Sequence, residues 1–147
     1  MSGFDPKALL GELDAGALEA LVQTMVLAAR ADDDFSDDER TELADSIKAL
    51  AEGTEHAEAL QGEPLEALLS RAEKELDAEG RSARIAAVKE RLASDDARKA
   101  ALGLAISVTA ADGIVRTSER EVIMDLAEGL GVDRDVAAAL VAAITKK

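Results

Sequence analysis

Apolar residues recur at helical spacing along nearly the whole chain, and no segment alternates strictly as a half-buried strand would. Residues 7–13 can form a short leading helix. From about Gly16 the positions Leu18, Leu21, Val22, Met25, Val26 and Ala29 predict a helix that is apolar on most sides and ends near Asp32. Such a helix belongs in the middle of a bundle. Ser36 with Glu39 three positions later reads as a capping box. It opens a helix whose inner face is Leu43, Ile47 and Leu50 and which Gly53 stops. A short polar helix with His56 and Leu60 is expected over 54–61. Pro64 suits a first helical position, and Leu65, Leu68, Leu69, Ala72 and Leu76 form the next stripe, ended by Gly80. Residues 82–93 turn Ile85, Val88 and Leu92 inward. Ser94 or Asp95 caps a second mostly apolar helix over about 96–111, with Ala101, Leu104, Ala105 and Val108 facing the core. Helix 118–129 buries Val122, Ile123, Leu126 and Leu130, and Gly129 and Gly131 end it. Asp133 caps a last helix carrying Val136, Leu140, Val141 and Ile144. Met25 and Met124 lie on apolar faces and read as core.

One stretch of this pattern occurs twice. Ala31-Asp32-Asp33-Asp34-Phe35-Ser36-Asp37-Asp38-Glu39-Arg40 returns 80 positions later as Ala111-Asp112-Gly113-Ile114-Val115-Arg116-Thr117-Ser118-Glu119-Arg120. The register continues without a gap, so Leu43 falls on Ile123, Asp45 on Asp125 and Leu50 on Leu130. Two helix–turn–helix units therefore each set an Asp and a Glu on either side of a turn. The expected fold class is all-α, a single-domain bundle of about seven to nine helices over 1–147. It is built on an internal pseudo-repeat with halves at about 17–53 and 96–131 and spacer helices at about 63–93. Both acidic turns could lie at one end of such a bundle or at opposite ends.

The composition narrows what this bundle can do. Its core must be built from Leu and Ala, because 147 residues include two Phe, no Tyr and no Trp. A formal charge of −14 makes nucleic acid a poor partner, since phosphate contacts need a basic surface, and an anionic membrane would repel it. The same charge suits a cation or a basic protein patch, and it also simply keeps a protein soluble. The absence of Cys excludes thiolate metal sites and a Cys nucleophile and fits the cytoplasm. No secretory signal is read at the N-terminus, and the apolar-rich stretches 17–31 and 100–111 are too short to cross a bilayer. A single histidine, His56, rules out a His-based zinc site. No Gly-rich phosphate loop and no nucleophile–base pairing is recognisable, so an enzyme is not expected.

Chemistry can concentrate only at the turns. Six carboxylates (Asp32, Asp33, Asp34, Asp37, Asp38 and Glu39) fall within eight residues. Their mutual repulsion would be relieved by a hard cation with oxygen ligands. The same acids also have a local explanation. Negative charge in a first helical turn is favourable by about 0.3–1 kcal/mol, and Asp satisfies turn donors. An EF-hand does not fit. Counting from Asp32, the sixth position is Asp37 instead of Gly and the twelfth is Leu43 instead of Glu; in the second copy the third position is Ile114. The second copy is poorer in acid, with Arg116, Thr117 and Ser118 where the first has an acidic run. Thr117 or Ser118 caps the following helix, and Arg116 repels a cation or pairs with the first turn.

Ala-Asp-Gly-x-Val-x-x-x-Glu, from Ala111 to Glu119, resembles the signature of the tellurite-resistance TerB family. Ala31 to Glu39 matches the same frame, with Asp33 in place of Gly. The helix order and the closing Leu126-Ala127-Glu128-Gly129-Leu130-Gly131-Val132 extend the likeness over roughly 17–145. The resemblance implies a bacterial, cytoplasmic, all-helical adaptor or sensor of a tellurite and chemical-stress response. It implies a divalent cation (calcium, magnesium or zinc) held by Asp32, Asp34 and Glu39 in the first copy and by Asp112 and Glu119 in the second. It also implies assembly with other proteins of a membrane-associated stress complex, without direct membrane insertion. The alternative is a metal-independent protein-interaction scaffold.

Overall fold

The computed structural model describes residues 15–30, 36–92, 94–109 and 117–145. Among them are seven α-helices and no strand. They are α1 (Ala15–Ala29), α2 (Asp37–Ala51), α3 (Gly62–Glu79), α4 (Arg81–Arg91), α5 (Asp95–Thr109), α6 (Thr117–Leu130) and α7 (Arg134–Thr145). The expected leading helix at 7–13 lies outside the described residues. The count sits at the low edge of the expectation because residues 52–61 form successive turns rather than a helix. Their bonds mix three- and four-residue closures, such as Ala57 N–H to Thr54 O and Leu60 N–H to His56 O. A segment this short cannot repay the cost of helix nucleation. Helix α3 begins at Gly62, so Pro64 is its third residue, still within the first turn where a missing N–H leaves no bond unmade.

The caps form where the local sequence asks for them. Ser94 Oγ accepts from Ala97 N–H at 3.0 Å and Asp133 Oδ1 from Asp135 N–H at 2.8 Å. Past the end of α6, Gly131 takes φ +79°, which a side chain would strain. Its N–H reaches Glu128 O, and Val132 N–H reaches Ala127 O, the paired closure of a Schellman motif.

The buried residues form one apolar cluster with α1 and α5 at its centre. Leu21, Met25, Leu102, Leu104 and Ile106 have no exposed side-chain surface. Met124 sits at the edge of this core, half-buried. Helix α1 packs along α5, and each of these two also packs against the helix that follows the other's turn: α1 against α6, α5 against α2. This crosswise packing joins the two repeat units through their central helices. Helices α3 and α4 close over α1, and α7 covers α5 and α6.

Candidate functional site

Of the five expected ligands, Asp32, Asp34 and Asp112 lie outside the described residues. Glu39 and Glu119 are each in the first turn of a helix that follows a repeat turn. The capping box forms as expected: Ser36 Oγ accepts from Glu39 N–H at 3.2 Å and Glu39 Oε1 accepts from Ser36 N–H at 2.9 Å. The exposed Glu39 carboxylate is thus folded back toward the residues that precede α2. Capping does not use up its capacity, since an ionised carboxylate has about four lone-pair directions. Glu119 is half-buried. Helix α6 already includes Thr117 and Ser118, so neither is its N-cap. Among the described residues no group of three or more His, Cys, Asp or Glu is placed to hold a metal ion.

The ion pairs establish how the central helices run. Along α1, Glu19 meets Arg71, Gln23 meets Glu75, and Arg30 meets Asp77, so α3 runs parallel to α1. Helix α4 runs the other way, with Arg91 at Glu19 and Arg84 at Gln23. Helix α5 starts at the far end of α4, where Arg98 donates to Leu92 O at 2.7 Å and to Lys89 O at 3.1 Å. Helix α6 returns alongside α4 in the same sense, with Asp125 at Arg81, Gly129 at Ile85 and Gly131 at Lys89. Its start therefore lies at the end of the bundle where α1 finishes. Because α5 begins at the opposite end and leads into α6, it runs parallel to α1. The helix ends that flank residues 31–35 and 110–116 accordingly share one end of the bundle, the question the repeat alone left open.

Arg30 and Arg40 bracket the first acidic run, and both are taken up by α3. Arg40 donates through Nε to Glu73 Oε2 at 2.6 Å, pairs through Nη1 with Glu66 Oε1 at 2.6 Å, and donates through Nη2 to Ser70 Oγ at 3.2 Å. Arg30 Nη1 lies 2.9 Å from Asp77 Oδ1. The hydrogen bond that Arg40 donates to Glu73, reinforced by the one to Glu66, raises the Arg40 pKa above its ordinary value despite partial burial. Glu66, Ser70, Glu73 and Asp77 follow one another at helical spacing on one edge of α3. This polar stripe beside the Leu65–Leu69–Ala72 face escaped the sequence reading, which followed apolar periodicity only. Its signal was the same spacing written in polar residues.

These features define an acidic, all-helical protein class: a duplicated helix–turn–helix unit whose two turns are flanked by helix ends at a common pole. The sequence matches the family Tellurite resistance protein TerB over residues 18–142, most of the chain, and the protein belongs to that family. No curated protein and no solved structure matches the chain. Among the described residues no helix is long and apolar enough to cross a membrane.

Proposed function

We propose that this TerB protein is a divalent-cation-binding adaptor or sensor of a bacterial tellurite or chemical-stress response. It works by binding rather than catalysis, acts in the cytoplasm, and docks other proteins of a membrane-associated complex. The observation that carries this reading is the parallel course of α1 and α5, which brings the helix ends beside both acidic turns to one pole. Asp32, Asp34 and Glu39, with Asp112 and Glu119, would supply hard oxygen ligands suited to calcium or magnesium, and to zinc through carboxylates. A cation there would offset carboxylate repulsion and tie the two repeat units together, presenting partners with one rigid pole.

A melting series in calcium, magnesium and zinc at constant ionic strength tests this. At 100 times its dissociation constant a cation adds about 2.7 kcal/mol, a rise of roughly 5–10 °C for a domain of this size. Chelator should reverse the rise, and Asp32→Asn with Glu39→Gln should abolish it. Gln at position 39 can still complete the capping box, so the variant's cation-free stability should stay near wild type. If none of the three cations shifts the wild-type curve, the metal-independent scaffold is the better account.

A further inference from the structure

We propose that the polar edge of α3 is a clamp that sets the position of the first turn of α2, with Arg40 as its positioning residue. The carboxylates Glu66, Glu73 and Asp77 and the Ser70 hydroxyl occupy successive turns of one helix edge. Between them they hold the arginine that ends the first central helix and the arginine beside Glu39. The Arg40 fork is engaged on three nitrogens, so it has one seat, whereas a lysine could make only a point contact. Side-chain exposures of 22% for Arg40 and 24% for Glu73 shield that contact better than an open surface pair. Arg30 and Arg40 are also the only basic residues between Met25 and Ile47. Both are paired with carboxylates of α3. The clamp therefore fixes the capped turn that carries Glu39.

The effect on cations rests on the functional reading above; the positioning of α2 does not. The test therefore starts with cation-free protein in chelator. Amide hydrogen exchange is read at Glu39 and Arg40, whose N–H groups are held by Ser36 Oγ and Ser36 O. Asp77→Asn, Arg40→Gln and the pair Glu66→Gln with Glu73→Gln should each speed exchange there, by about fivefold for the last two, while the core amides of α5 stay unchanged. Calcium titration of the same proteins follows. If Arg40 were merely a nearby positive charge, Arg40→Gln would tighten calcium binding; as a positioning residue its loss weakens binding. Unchanged exchange at Glu39 and Arg40, or tighter calcium binding in Arg40→Gln, overturns the clamp. Faster exchange in proteins that show no calcium response upholds the clamp and refutes the cation reading instead.

Discussion

Glu19 holds two arginines on one carboxylate, Arg91 through Oε1 at 2.7 Å and Arg71 through Oε2 at 3.0 Å. The hydrogen bond from Arg91 is the main reason its pKa lies below the usual Glu value, with Arg71 adding and partial burial opposing. A carboxyl group whose folded pKa is depressed stabilises the native state above its unfolded pKa. That contribution disappears as the pH falls through the lower, folded value. Urea unfolding at stepped pH should therefore show wild type losing more stability than Glu19→Gln between neutral and acidic pH. Equal losses would mean that the two arginines do not favour the ionised form. At this scale the caps at Ser36, Ser94 and Asp133 were legible, because each joins residues two or three positions apart. The Arg40 seat was not, since Glu73 is 33 positions away and nothing near Arg40 announces it.

At the scale of elements, the crossing of α4 and α6 depends on Gly129. A Cβ there would overlap Ile85 Cγ2, because this side chain of α4 fills the space that a side chain at position 129 would need. Gly129→Ala brings a helix-propensity gain of about 1 kcal/mol against an overpacking cost of about 1–3 kcal/mol. The β-branch of Ile85 is stiff and cannot swing aside, so the cost should win and the variant should unfold at lower denaturant. In an Ile85→Leu background, which lacks Cγ2, the same substitution should be close to neutral. A double-mutant cycle by chemical denaturation measures the difference, and additivity would contradict the proposed overlap. The sequence reading assigned Gly129 to helix termination, whereas the structure places it inside α6 and leaves termination to Gly131. Helix α3 shows the same limit. Its apolar face was readable, but its edges were not. One seats Arg30 and Arg40; the other, through Arg71 and Glu75, meets Glu19 and the buried Gln23 of α1.

Over the whole molecule, charge of one sign opposes compaction. With a net charge of −14, long-range repulsion acts on the folded state, while most of the ion pairs have an exposed partner and contribute little individually. Screening should weaken the repulsion more than the pairs. Raising sodium chloride from low ionic strength, with chelator present, should therefore raise the melting temperature by a few degrees. A falling melting temperature would mean that the pairs dominate. The sequence by itself determined that the chain is helical, where most helices start and stop, which stripe each one buries, and that a unit is repeated. Those properties arise from residues within a turn or two of each other, and their periodicity records them. Only the tertiary structure decided that α1 and α5 run the same way, and that α3 carries the carboxylates that hold the arginines of α1 and α2. Helix direction and edge-to-edge pairing are set by packing between residues far apart in the chain, which leaves no periodic trace in either partner.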